Sequence, residues 1–288
     1  MYGFKELITF VFIMQTQDTI TSAQNPKIKA LLQLQQKSAC RREQGLFVVE
    51  GRRELMHCLS KGYQADTMFV CNEIMTAEEE YDKLLKALPS CKTIYVSANV
   101  YERIAYRGGT EGIVATIRMK QHGLDTLPVP SQGHAPLYVV LESVEKPGNL
   151  GAILRSADAA GVDAVIVCDP LTDLYNPNLI RSSLGGIFSV PTIACTSQEC
   201  IEHFKAHGIR ILTAQLQDSS LYYDTDMTLP TAIVMGTEAT GLTDQWRLAA
   251  DAHIRIPMLG ILDSLNVSVS AAILMFEAVR QRHTGALL

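Results

Sequence analysis

The sequence has no Cys-x-x-Cys pair among its seven cysteines (Cys40, Cys58, Cys71, Cys91, Cys168, Cys195, Cys200), and their number is odd. Their spacing therefore suggests neither a disulfide framework nor a zinc site, and a reducing, cytoplasmic setting is expected. There is no apolar run long enough to cross a bilayer either. "ELITFVFIM" near the N-terminus is too short, and only Lys5 stands ahead of it with Glu6 alongside, which argues against a membrane span and a secretory signal. The G-x-G-x-x-G dinucleotide fingerprint is missing, which counts against a nicotinamide-dependent dehydrogenase. Excess positive charge is missing too, since 25 Lys and Arg face 30 Asp and Glu for a net charge of −5.

What is present is length and apolar content. At 288 residues and 47% hydrophobic, the chain can bury two ordinary cores, so two domains are expected. Met14 begins a stretch that reads like a natural protein start, and residues 1–13 are expected to be a translation-start extension within an N-terminal extension, 1–24. From Asn25 the pattern alternates between helical and strand-like. "NPKIKALLQLQQK" opens with an Asn cap and Pro26 at the first helical position, and Ile28, Leu31, Leu32 and Leu34 supply its apolar positions. "LFVVE", "DTMFV", "KTIYVS" and "GIVATIR" alternate with helical stretches around Leu55, Leu84 and Val100, which predicts an α/β domain over 25–120. Residues 121–135, rich in proline and glycine and without periodicity, read as a linker.

A second alternation fills 136–288. The runs in "LYVVLES" and "AVIVC" are too continuous for a half-wet sheet, so a parallel sheet covered on both faces is predicted. In open parallel sheets ligands bind where strands end, and three loops stand at such places.

The first is "EKPGNLGAILR". On its helix Leu150, Ile153, Leu154 and Ala157 make a buried stripe. Arg155 stands one turn past the small Gly151, so its guanidinium can reach back to the Asn149 turn; on helix geometry alone it also reads as an ordinary surface arginine. The second loop is "VMGTEATGL", where Gly236 lets backbone approach a ligand closely beside the Glu238 carboxylate, and where a plain turn is the alternative. The third is "IPMLGILDSLNVSVSAAILMFEAVRQR". There Val269, Ala272, Ile273, Phe276 and Val279 have helical spacing, and Ser264, Asn266 and Ser268 are cap-type residues in excess of the one that a helix needs. The surplus suggests a loop that also holds a ligand with polar and apolar parts.

Together and in this order, the three loops resemble the three motifs of the SpoU-type RNA ribose methyltransferases of the SPOUT superfamily. "KPGNLGAILRSADAAG" is similar to motif one, "IVMGTEATGL" to motif two and the third stretch to motif three, with Ala239-Thr240 in motif two departing from the family's pattern. Residues 25–120 resemble, in "NPKIKALLQL", "GLFVVEGRREL" and "GTEGIVATIR", the small ribosomal-protein-like α/β domain that recognises substrate in many members acting on ribosomal RNA. The resemblance implies a deep trefoil knot whose loops hold S-adenosylmethionine. Backbone at Gly236, Ile256, Met258 and Leu265 would grip the adenine and ribose. Ser264 and Asn266 would face the reacting end, Asn149 would orient the target ribose, and Glu238 would hold Arg155 or the substrate.

The family assigns its motif-one arginine as general base. Bringing an arginine from a pKa near 12.5 to 7 costs roughly 7 kcal/mol, so Arg155 is expected to bind the target phosphate and to yield a proton, if at all, only beside the positive sulfonium. For the RNA itself, Lys27, Lys29, Lys37, Arg41, Arg42, Arg52 and Arg53 concentrate in a short region against Glu43 and Glu50. Arg41, Arg42, Arg52 and Arg53 are expected to contact phosphates, and a solvated helix face is the equal alternative. The expected function is S-adenosylmethionine-dependent 2′-O-methylation of RNA, most directly ribosomal RNA, by a homodimer without a metal. A tRNA target and a non-catalytic RNA-binding protein of the same fold are the alternatives.

Overall fold

The computed structural model describes residues 19–75, 91–105, 111–133, 135–144, 146–237 and 240–283. The chain divides into two units, Met1–Met119 and Lys120–Leu288.

In the first unit, helix α1 (Pro26–Gln36) begins as its sequence predicts. The Asn25 side chain accepts from the Lys27 amide, Pro26 opens the helix, and Ile28, Leu31 and Leu34 are buried. A second short helix, α2 (Ser38–Gln44), follows. Strands β1 (Leu46–Glu50), β2 (Ala65–Val70), β3 (Lys92–Tyr95) and β4 (Ile113–Arg118) form a sheet in the order β1-β4-β2-β3. Both β4 pairings are antiparallel and β2–β3 is parallel. Helices α3 (Arg52–Ser60) and α4 (Ala98–Ile104) complete this unit, while the helix expected around Leu84 lies outside the described residues.

The basic cluster of this unit needs a correction. Arg41 is only 2% exposed, and its Nη1 donates to the Leu34 and Gln35 carbonyls at the end of α1. A guanidinium consumed by a helix terminus caps orphan carbonyls rather than meeting a phosphate. Lys27, Lys29, Lys37, Arg42 and Arg53 are exposed and Arg52 is half-buried.

The second unit holds a seven-stranded, wholly parallel sheet in the order β7-β6-β5-β10-β8-β11-β9. Its strands are β5 (Leu137–Glu142), β6 (Ala164–Cys168), β7 (Thr192–Cys195), β8 (Arg210–Ala214), β9 (Ser220–Leu221), β10 (Thr231–Met235) and β11 (Ala252–Arg255). Every residue of β5, β6 and β10 is buried, as the continuous apolar runs require. The helices are α5 (Pro147–Ala160), α6 (Pro177–Ser182), α7 (Gly186–Ser189), α8 (Ser197–Ala206), α9 (Asp244–Ala249) and α10 (Val267–Arg282). α5 stops at Gly161, whose φ of 65° is the left-handed C-terminal conformation, and α10 packs against α5.

Two further expectations change. Within the expected linker, Leu124–Pro128 packs onto this unit: Leu127 belongs to its core with Leu124 against it, and the Tyr138 hydroxyl donates to the Pro128 carbonyl. A single 3-10 turn at Leu124–Thr126 brings the two leucines together, too short to register as periodicity. In α10 the buried side chains are Val267, Ala271, Leu274, Met275, Glu277 and Ala278. The spacing set Val269, Ala272, Ile273, Phe276, Val279 lies on the other side, with Val269 48% and Phe276 47% exposed. A helix that is apolar nearly all round offers two stripes, and spacing alone cannot say which meets the core.

The end of α10 is fastened by Arg282. Its guanidinium donates to the carbonyls of Met227 (2.8 Å), Ala135 (2.6 Å) and Leu229 (2.8 Å), and burial pushes its pKa down from the usual arginine value.

Candidate active site

The carboxyl ends of three neighbouring strands, β10, β8 and β11, open onto a cavity of about 440 Å³. Met235 and Gly236 line it from β10, Ala214 and Gln215 from β8, and Ile254, Arg255 and Ile256 from β11. Met258, Asp263, Ser264 and Leu265 close it from the loop before α10. All four residues expected to grip a nucleoside, Gly236, Ile256, Met258 and Leu265, thus meet at one surface with Ser264. The volume is that of a small-molecule site.

Backbone geometry explains the motif-two glycine. The chain leaves β10 and turns sharply back, with the Gly241 amide donating to the Thr237 carbonyl at 3.1 Å. A Cβ at Gly236 would overlap the Gly241 backbone, so only glycine admits this return. Thr240 donates its amide to the Thr237 hydroxyl, and the two hydroxyls lie 2.8 Å apart. The residue that departs from the family pattern therefore ties the turn. Glu238 and Ala239 lie outside the described residues.

Motif three meets motif one through their asparagines. The Asn266 side chain caps α10, accepting from the Ser268 amide (2.9 Å) and hydroxyl (2.6 Å), and its Nδ2 donates to Asn149 Oδ1 at 3.1 Å. Asn149 is in the first turn of α5, half-buried, and the Leu150, Ile153, Leu154 and Ala157 stripe behind it is buried as expected. Gly151 stands where a Cβ would overlap Ser182, so α5 and α6 are in close backbone contact there. Arg155 is exposed, and among the described residues no hydrogen bond or ion pair reaches it, Asn149 included. The structure therefore joins Asn149 to Asn266 and gathers Ser264 with the cavity residues. Arg155 stands on the motif-one helix with its guanidinium free among the described residues. Ser264 is exposed and donates to Asp263 at 3.2 Å.

Three residues of the site were not read from the sequence. Glu142, at the end of β5 and only 3% exposed, accepts through both carboxylate oxygens from the Thr243 amide (2.8 Å) and hydroxyl (2.7 Å). It ties β5 to the segment that follows motif two. The signal was an acid closing an otherwise apolar strand, "LYVVLE". Gln215 follows β8 directly, and its Oε1 is buried without a hydrogen-bond partner among the described residues, as is Nε of Arg247; both residues line the cavity. A buried polar atom left unpaired costs about 1–3 kcal/mol, so these two atoms fit a site completed by a polar ligand.

An α/β unit with a small-molecule cavity at the carboxyl ends of interior parallel strands defines the class: a ligand-binding domain, joined to a second, smaller α/β domain. Residues 136–276 match the SpoU rRNA Methylase family, and residues 25–115 match the MRM3-like substrate binding domain. A 23S rRNA (guanosine-2′-O-)-methyltransferase of Vibrio vulnificus is 34% identical over 211 residues, covering 70% of this chain and 85% of its own. The crystal structure of an RNA 2′-O ribose methyltransferase is 38% identical over 92% of this chain and 99% of that one, with a TM-score of 0.77. An AdoMet-bound rRNA methyltransferase from Sinorhizobium meliloti is 27% identical over 93% and 99%, with a TM-score of 0.84. The chain belongs to the SpoU family and is an S-adenosylmethionine-dependent RNA 2′-O-ribose methyltransferase.

The cavity fits that cofactor by its own chemistry. Leu216, Met258 and Leu265 offer apolar walls, Gly236 leaves room for close backbone approach, and Gln215 and Arg247 hold unsatisfied polar atoms. Among the described residues no helix is long and apolar enough to cross a membrane.

Proposed function

We propose that this protein methylates a ribose 2′-oxygen of ribosomal RNA, as a cytoplasmic homodimer, with residues 25–120 recognising the RNA and 136–288 carrying the chemistry. The observation that supports it most is the hydrogen bond to Asn149 of motif one from Asn266, which stands between Leu265 and Val267, two residues that line the cavity. A target in ribosomal RNA is supported by the kind of N-terminal domain and by the relatives named above.

S-adenosylmethionine, when bound, supplies a methyl group made electrophilic by a positively charged sulfur. The protein's task is to align the 2′-oxygen with it and to help remove a proton. Gly236, Ile256, Met258 and Leu265 hold the adenine and ribose of the cofactor. Asn149, fixed by Asn266, orients the target ribose. Arg155, exposed on the motif-one helix, binds the adjoining phosphate as a cation. Ser264 and Asn266 order the reacting groups, and Glu238 steadies Arg155 or the substrate. A trefoil knot formed by the motif-two and motif-three segments, implied by the family, belongs to this reading.

The homodimer rests on α10. Val269 and Phe276 stand about half exposed, with Ile273 between them on the same stripe, and an exposed apolar stripe on a helix marks an association surface. In the N-terminal unit, Arg42, Arg52 and Arg53 remain as phosphate ligands once Arg41 is set aside as buried. Their test is salt dependence. Changing the three to Gln should weaken RNA binding and flatten the log-log salt slope by up to about 0.7–0.9 for each phosphate left unneutralised, with cofactor affinity unchanged. An unaltered slope would make the cluster a solvated face. Mapping 2′-O-methyl positions in RNA from cells with and without the gene identifies the nucleotide; a site missing from tRNA and not from ribosomal RNA would overturn the substrate assignment.

A further inference from the structure

Three cysteines that the sequence scatters converge at one edge of the parallel sheet. Cys168 ends β6 and Cys195 ends β7, and the two are register partners on adjacent parallel strands. Their sulfur atoms lie 3.9 Å apart. The chain then enters α8 through a capping box, in which Thr196 and Glu199 each bond the other's backbone amide. This entry turns the first helical turn back over the strand ends and delivers Cys200. All three sulfurs lie within 4.8 Å of one another.

The position is separate from the cofactor cavity. In the strand order β7 and β6 lie on one side of β5, while the cavity opens from β10, β8 and β11 on the other, and none of the three cysteines lines it. β7 is the edge strand there, held on one side only by β6. One turn beyond Cys200, His203 has an Nε2 that is buried without a hydrogen-bond partner among the described residues. Near His203 lie the His207 ring, with centroids 4.2 Å apart, the Phe204 ring, and the Cys195 and Asp125 side chains.

Burial as small apolar groups accounts for single cysteines such as Cys58 or Cys71. It does not call for three thiol sulfurs gathered within 4.8 Å of one another from two strands and a helix. Metal chemistry does. Two Zn–S bonds of about 2.3 Å meeting at a tetrahedral angle put their sulfurs about 3.8 Å apart, close to the observed Cys168–Cys195 separation. We propose that Cys168, Cys195 and Cys200 form a binding site for a thiophilic divalent cation of the zinc class, each supplying one sulfur. Each thiol gives up its proton as its sulfur binds, so three protons leave for each cation held, and no electrons are exchanged. The occupied site fastens the edge strand β7 and the start of α8 to the body of the sheet.

The test uses the full-length protein, reduced with a phosphine, stripped with a chelator and titrated with Co²⁺ without oxygen. A thiolate-to-cobalt charge-transfer band saturating at one equivalent, removed by Zn²⁺ and accompanied by a higher Tm with Zn²⁺, is expected. Cys195→Ser, at the half-buried position least costly to change, should keep the circular dichroism spectrum and S-adenosylmethionine affinity while weakening Zn²⁺ binding by at least about 10-fold. Cys91→Ser, a cysteine of the other unit, should change nothing. Absence of the band at stoichiometric Co²⁺, or a band that survives Cys195→Ser, would overturn the proposal.

Discussion

Asn266 donates a hydrogen bond to Asn149 across 117 positions of sequence while its own carbonyl oxygen caps the last helix. One amide therefore does two separable things: its oxygen starts α10 and its nitrogen fixes the motif-one turn. Aspartate keeps the oxygen and removes the donor.

Asn266→Asp should consequently fold with a Tm close to that of the parent, because Asp and Asn cap helices about equally well. S-adenosylmethionine affinity should stay within a few-fold. Single-turnover methylation should fall by at least about 10-fold, since Asn149 loses the hydrogen bond from Asn266. Asn266→Ala should fall as far in methylation and also lose roughly 1 kcal/mol of stability. Full activity in the aspartate variant would show that the link between the motifs is incidental.

Leu265 is 37% exposed at the wall of the cavity and carries little of the core. Leu265→Arg should abolish S-adenosylmethionine binding in calorimetry and leave circular dichroism near normal. Unchanged affinity would place the cofactor elsewhere.

Phe276 and Val269 tell whether the second stripe of α10 is an interface. Phe276→Asp places a charge in the middle of that stripe, where burial against a second copy would cost several kcal/mol and exposure to water almost nothing. Sedimentation should show a dimer for the parent and a monomer for the variant, with the Tm of the variant lowered only by the lost association. A parent protein that sediments as a monomer at micromolar concentration would remove the interface.

Much of this architecture was legible in the sequence, and the failures have identifiable physical causes. Continuous runs such as "LYVVLE" and "AVIVC" announce buried parallel strands because nothing polar interrupts them, and the structure buries all of their residues. Asn25, Pro26 and Gly161 mark helix ends because their effects are local. The face of α10 was not legible, since Val267, Ala271, Leu274 and Ala278 compete with a comparably apolar set on the opposite side of the helix. Arg41 reads as a surface cation until tertiary structure shows it committing its donors to the Leu34 and Gln35 carbonyls. The meeting of Cys168, Cys195 and Cys200 was invisible for a similar reason: spacing along the chain records nothing of strand order. Within the site, the family motifs pointed to Gly236, Ile256, Met258, Ser264 and Leu265, which line one cavity. Glu142 and Gln215 went unread because each is a single polar residue at a strand end, and its partner or its lack of one exists only in three dimensions.

The measurement that bears most directly on the account is transfer of a labelled methyl group from S-adenosylmethionine to ribosomal RNA taken from cells lacking the gene, by the parent and by Arg155→Ala, with the product digested to nucleosides. The parent should label one 2′-O-methylnucleoside. Arg155→Ala should bind the cofactor within a few-fold of the parent yet transfer at least ~100-fold more slowly, the scale of losing a group that aligns the target ribose. Label on a base, or an Arg155→Ala protein as fast as the parent, would contradict it.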